Sequence, residues 1–214
     1  MAAAATAWAV LGLAGAASAA TLPSGWYGYA VTGATYTSTT ADWTMPAVSC
    51  TTSGTYVAIW TGLDGYSSPT VEQIGAEAYC SGATPEYFGW YDLYPSPPVD
   101  FSKTLRPGDA LQTSVTYQSS KFTLTLRDVT QGWTQTVTKS LSGAARSSAE
   151  TVVEAPGTFT CAKPLTLAAF TGDTVDGTPL GSLDPVQGIG GDPSIVVSPV
   201  SGESFTVSCR PALS

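Results

Sequence analysis

Gln73 and Glu154 are the two residues best suited to handling a water molecule in a 214-residue chain with no histidine. Without His, a Ser-His-Asp triad, a Cys-His pair and a His-ligated zinc are excluded together. Hydrolysis must then rest on carboxylates, amides and hydroxyls. A carboxylate can take a proton from water and return it to a leaving group. A primary amide stays neutral at any pH and can donate to a developing oxyanion. No metal and no cofactor are expected.

The elements that must position these groups read as strands. Thr, Val, Tyr, Ser and Gly dominate, and short alternating runs recur at 56–60, 70–79, 111–117, 122–126, 134–139 and 204–209. Turn signals separate them at Asp64-Gly65, Pro107-Gly108-Asp109, Gln131-Gly132 and Asp176-Gly177. The runs flanking 128–132 should pair as a hairpin, and 178–194, rich in Gly, Pro and Asp, is the longest candidate loop. Residues 143–153 could make a helix, but β-branched Thr151, Val152 and Val153, with Pro156 close behind, favour a strand. The expected fold is all-β, an antiparallel two-sheet sandwich of the lectin-like jelly-roll kind with a concave groove.

Strand period two then sorts the side chains. With the strands in one sheet, a single face carries Trp60, Asp64, Gln73, Glu77, Trp90, Asp92, Tyr94 and Glu154. The opposite face carries Ile59, Leu63, Ile74, Leu93 and Val153, interrupted by Glu72. One face builds a core, and the other an acidic, aromatic-lined groove. Gln73 and Glu154 are expected on adjacent strands, sharing one water.

Four blocks carry a family resemblance: Trp60-Thr-Gly-Leu-Asp-Gly65, Pro69-Thr-Val-Glu-Gln-Ile-Gly75, Gly89-Trp-Tyr-Asp-Leu-Tyr-Pro95 and Ser148-Ala-Glu-Thr-Val-Val-Glu154. In order and spacing they resemble the glutamic peptidases, or eqolisins, whose pattern reads W-V-G-I-D-G, L-Q-T-G, A-W-Y-E-W-Y-P and A-E-F-I-I-E. The likeness includes Ser24-Gly-Trp-Tyr-Gly28 and Asp42-Trp-Thr-Met-Pro46 and covers roughly Trp26 to Phe170. It implies an acid endopeptidase with Gln73 and Glu154 as catalytic pair, and Trp60, Asp64, Asp92 and Tyr94 in support. Three positions depart from the pattern: Asp92 is shorter than the family's Glu, Glu77 replaces an Asp four after the Gln, and Phe88 replaces an Asp two before the Trp. Like-charge repulsion from Asp64, Glu77 and Asp92 is expected to raise the proton affinity of Glu154.

Composition narrows partner and compartment. Sixteen acidic against eight basic residues give a net charge of −8, which disfavours nucleic acid and anionic membranes. A polypeptide substrate and a monomeric protein are expected. Residues 1–19 are mostly Ala, Val, Leu and Gly and end in Ala17-Ser18-Ala19, an export signal cut before Ala20, although the usual N-terminal Lys or Arg is missing. Residues 20–214 then form one secreted, extracellular domain. Four cysteines suit that oxidising destination. Three connectivities are possible; Cys50–Cys80 and Cys161–Cys209 flank segments able to fold back antiparallel, and no C-x-x-C spacing suggests a metal.

Bland readings exist for each residue. Asp64 before a Gly is a natural turn residue, and Trp60, Trp90 and Tyr94 could be core aromatics. A Trp- and Tyr-lined groove could also bind polysaccharide, or two carboxylates across it could make a glycosidase. N-terminal sequencing of exported protein should give a start near Ala20; a start well past Trp26 would contradict that boundary.

Overall fold

Fifteen strands build the computed structural model: β1 (Trp26–Thr32), β2 (Ser38–Thr44), β3 (Tyr56–Asp64), β4 (Val71–Ser81), β5 (Thr84–Tyr94), β6 (Val99–Thr104), β7 (Ala110–Gln118), β8 (Lys121–Asp128), β9 (Trp133–Lys139), β10 (Ser148–Glu154), β11 (Leu165–Val175), β12 (Thr178–Pro179), β13 (Val186–Ile189), β14 (Ile195–Val197) and β15 (Phe205–Cys209). The structure describes residues 25–210 except Ser67, Gly157 and Cys161. The expected export signal and the Cys161 half of the second bridge lie outside the described residues.

Two antiparallel sheets face each other. The first runs β13-β1-β10-β3-β4-β5-β6; the second runs β14-β15-β11-β2-β7-β8-β9, with β12 paired to β11. Between them Ile59, Leu63, Ile74, Leu93 and Val153 meet Leu111, Phe122, Leu124 and Leu126, all buried. Each such side chain contributes about 1.5–3 kcal/mol on leaving water. The expected apolar face is therefore the sandwich core. β8 shows strict in–out alternation, as a sheet with one wet face should. β1, β3 and β10 are buried on both faces instead. A second apolar cluster of Trp26, Ala30, Ala58, Trp60, Trp90 and Val152 covers their outer side.

Local expectations hold at several points. The hairpin of β8 and β9 forms in register Leu126↔Gln135. Asp176 and Gly177 both have positive φ, 49° and 74°, the combination that a tight two-residue hairpin needs. Cys50 and Cys80 are bridged, with Cα atoms 5.4 Å apart, which ties the chain after β2 to the end of β4. Residues 148–154 form a strand, not a helix.

The expected loop at 178–194 is a correction. It contains β12, a 3₁₀ turn at Leu180–Ser182, and β13, which pairs with β1 through Tyr27↔Ile189 and Ala30↔Val186. The outer edge of β1 has backbone donors and acceptors that must be paired. That demand leaves no mark in side-chain alternation.

Several acids are buried. Glu72 points into the core with Thr70 beside its carboxyl, and Glu150 is buried with Ser148 beside its own. Burial, reinforced by the charge of Asp64, raises Glu72 to about 8. Burial likewise raises Asp173 to about 8 and holds Glu150 well above its ordinary value. Above the ordinary glutamate value of 4.5, an unfolded chain has released the Glu72 proton, whereas the folded chain keeps it until about 8. This contribution to stability is fully present in acid and is lost as pH rises through that window. The melting temperature should accordingly be highest in acid and fall between about pH 4.5 and 8, with Glu72→Gln flattening the decline. A melting temperature that climbs across this range would contradict the assignment.

Candidate active site

Three cross-strand rows lay out the outer face of the first sheet. Glu154, Ala58 and Glu77 stand in one row; Val152, Trp60, Gly75 and Trp90 in the next; Glu150, Gly62, Gln73 and Asp92 in the third. Residues directly opposite in antiparallel strands share a face, so the expected parity is correct. The expected adjacency is not: β3 lies between β4, which carries Gln73, and β10, which carries Glu154.

Small residues on β3 and β4 keep this diagonal open. Ala58 leaves Glu154 and Glu77 facing each other over a methyl group. A β-carbon at Gly75 would meet the Trp60 Cβ at 2.6 Å, and one at Gly62 would meet the Gln73 Cβ at 3.1 Å and the Trp60 ring at 3.3 Å. Glycine at 62 leaves room for the buried Trp60 ring, and glycine at 75 lets β4 lie close against the β3 backbone that carries it. Its Nε1–H donates to Glu154 Oε2 at 3.3 Å. Trp26 meets its ring edge-on, with centroids 4.7 Å apart. Gln73 is oriented from the other side, its Nε2–H donating to Asp92 Oδ2 at 3.2 Å.

A cleft of about 160 Å³ opens above these groups, lined by Tyr56, Ala58, Gln73, Glu77, Trp90, Asp92, Pro98, Asp100 and Glu154. The cleft therefore unites five of the eight expected groove residues. Trp60 lies fully buried beneath it. Asp64 is a correction: its φ is 64°, and its buried carboxylate accepts from the Arg146 and Ser147 backbone N–H groups at 2.6 and 2.8 Å. That left-handed turn takes it out of the groove and makes it a clamp on the 143–147 loop. Tyr94 is the other correction, 51% exposed at the end of β5 and absent from the cleft wall.

Four contributors were not anticipated. Tyr56 and Ala58 share the parity of Trp60, which could have revealed them. Asp100 and Pro98 come from and just before β6, an exposed edge strand without hydrophobic alternation, and no local signal placed them there. A separate cleft of about 210 Å³, lined by Tyr91, Leu93, Val99, Lys139 and Leu141 among others, holds no carboxylate.

Burial governs the protons. It raises the Glu154 carboxyl, against the opposing pull of the Trp60 N–H. The expected like-charge cause is thus corrected for Glu154: withdrawal from water dominates. Repulsion does act on Glu77, which burial first, then Asp100 and Glu154, bring to about 7. Asp92 is raised by burial and partly restored by Gln73. Among the described residues no group of three or more His, Cys, Asp or Glu is arranged to hold a metal ion.

Comparison with known proteins gives a consistent result. The sequence profile of the Peptidase A4 family matches residues 24–178. Aspergillopepsin-2 of Aspergillus niger is 30% identical over 222 residues, covering 86% of this chain and 77% of the relative. The fold is similar to scytalido-glutamic peptidase solved with a transition state analog inhibitor, at TM-score 0.73 and 27% identity over 90% of this chain and 100% of that one. It is also similar to SCP-B, a member of the eqolisin family of peptidases solved with a tripeptide, at TM-score 0.67 and 25% identity over 90% and 100% of the two chains.

Trp60→Phe tests the electrostatics. Loss of the N–H that favours ionised Glu154 should raise its pKa further. Carboxyl ¹³C titration reads the change directly. An unchanged or lowered value would remove Trp60 from that role.

Proposed function

The chain belongs to the Peptidase A4 family, the glutamic peptidases, and on that premise we propose that Gln73 and Glu154 are its catalytic pair. It is an endopeptidase, a hydrolase of peptide bonds. The observation that carries the residue assignment is that both side chains line one acidic cleft, each oriented by a single neighbour.

Ionised Glu154 takes a proton from a water molecule, which attacks the scissile carbonyl carbon directly. One N–H of the Gln73 amide is engaged by Asp92, and the other donates to the oxygen that gains negative charge. The tetrahedral species then collapses: the C–N bond breaks, and Glu154 returns its proton to the departing nitrogen. Atoms balance as peptide plus water giving acid plus amine.

This scheme defines an acid working range. Glu154 must be ionised at the outset, and burial lifts the pH at which that occurs. Glu77 remains largely neutral below about 7, so it adds little negative charge beside the base across that range. Above it, a second charge in the cleft and the draining of fold stability both oppose activity. The enzyme acts as a secreted, extracellular monomer on polypeptides; no helix among the described residues is long and apolar enough to cross a membrane.

Glu154→Gln should abolish peptide hydrolysis, because an amide can neither take nor return the proton. Gln73→Ala should cost about 10²–10³-fold in kcat, the usual loss for one oxyanion donor. Asp92→Asn should be milder and shift the acid limb of the pH–rate profile. Assays on a quenched fluorescent peptide, with folding checked by circular dichroism, decide these outcomes. Near-normal turnover by Glu154→Gln would refute the scheme.

A further inference from the structure

β6 ends the first sheet and β9 ends the second, and residues of both strands line the separate cleft of about 210 Å³. Its apolar wall is formed by Tyr91, Leu93, Val99 and Leu141, with Lys139 among them. Leu93 is buried, whereas Val99 is 45% exposed, so the wall runs from the core to the surface. Sites for drug-sized ligands occupy about 300–1,000 Å³; this smaller space suits one apolar side chain and the groups that flank it.

The polar groups narrow the ligand further. The Lys139 ammonium and the hydroxyls of Tyr91, Ser96 and Ser140 make no hydrogen bond or ion pair with another described residue. No carboxylate lines this cleft, in a chain whose net charge is −8. Apolar walls, one cation and several hydroxyls complement an apolar residue that bears a carboxylate and adjoins an amide. That is the C-terminal end of a peptide.

Strand alternation gives the cleft its position. Trp90, Asp92, Pro98 and Asp100 line the catalytic cleft, while Tyr91, Leu93, Pro97 and Val99 line this one. β5 and β6 with the turn between them therefore form one wall with a cleft on each side. Each cut in the catalytic cleft creates a new C-terminal carboxylate beside Glu77, Asp92, Asp100 and Glu154, whose negative charge disfavours it. Resting on the catalytic reading above for the source of the peptide, we propose that the cleft between β6 and β9 is a product site. It binds the C-terminal carboxylate of a peptide ending in an apolar residue, with Lys139 as the counter-charge.

Titration with N-acetyl-Leu-Phe and with its C-terminal amide tests this at about pH 5, where an α-carboxyl of ordinary pKa, about 3.3–3.7, is ionised. The acid should bind about fivefold more tightly than the amide, the gain of a partly exposed ion pair. Lys139→Gln should erase that difference and leave the affinity for the amide unchanged, a coupling that loss of packing would not produce. In NMR spectra the methyl signals of Leu93, Val99 and Leu141 should move, and the Gln73 side-chain amide should not. Hexanoate, a carboxylate without a peptide unit, should bind more weakly. Equal affinity for acid and amide, a difference that survives Lys139→Gln, shifts confined to Gln73, tighter binding of hexanoate, or no binding at millimolar peptide would each overturn the proposal. The titration needs no turnover, so failure of the catalytic reading, seen as an active Glu154→Gln, is read separately.

Discussion

The Trp60 indole occupies the middle of the first sheet's outer face, and the geometry of the cleft follows from its being able to lie there. A side chain at position 62 would press on the ring, 3.3 Å from where its β-carbon would stand, and one at position 75 would press on the backbone that carries it, meeting the Ile59 carbonyl and the Trp60 Cβ. Trp26 closes against the ring from β1. Held in this way, the indole points its N–H at the Glu154 carboxylate, while β3 itself separates Glu154 from Gln73. The Glu154 and Gln73 side chains reach over β3 toward a common space because β3 presents Ala58 and Gly62 at the two crossing points. The diagonal proposed as catalytic is thus a packing result, set by its small and apolar neighbours.

The same physical circumstance recurs in the scaffold and in the cleft. Carboxyls are taken out of water, and burial is the leading cause of every upward shift: Glu72, Glu150 and Asp173 inside, Glu77, Asp92 and Glu154 at the cleft. A buried carboxyl is tolerable when protonated and costly when ionised. Acid stability and the upper pH limit of the proposed activity then have one origin, whereas burial of Glu154 sets the lower limit. Asp64 meets burial differently: the backbone N–H groups of Arg146 and Ser147 donate to its carboxyl oxygens, so that it holds a loop.

Much of this is legible in the sequence, because period two is a strong constraint on β-strands. The inward apolar set and the outward set containing Trp60, Gln73, Glu77, Trp90, Asp92 and Glu154 follow from counting alone. What counting cannot supply is sheet order. β10 enters between β1 and β3 from far along the chain, and no local pattern encodes which strands become neighbours. Asp64 escaped the parity rule because a positive φ ends the strand's alternation at that residue, although its Asp-Gly signal was visible. Asp100 escaped because an exposed edge strand has no apolar face to count. The cause of the Glu154 shift was misassigned for a related reason: charges can be counted in a sequence, whereas withdrawal from water cannot.

The central claim is that one water is activated between Glu154 and Gln73. A crystal structure of this protein with a peptide mimic bearing a non-hydrolysable tetrahedral diol or phosphinate centre addresses it most directly. The account predicts one tetrahedral oxygen within about 3.2 Å of the Glu154 carboxyl and the other accepting from Gln73 Nε2 at a similar distance. A tetrahedral centre seated between Glu154 and Glu77, with Gln73 still bound only to Asp92, would contradict it.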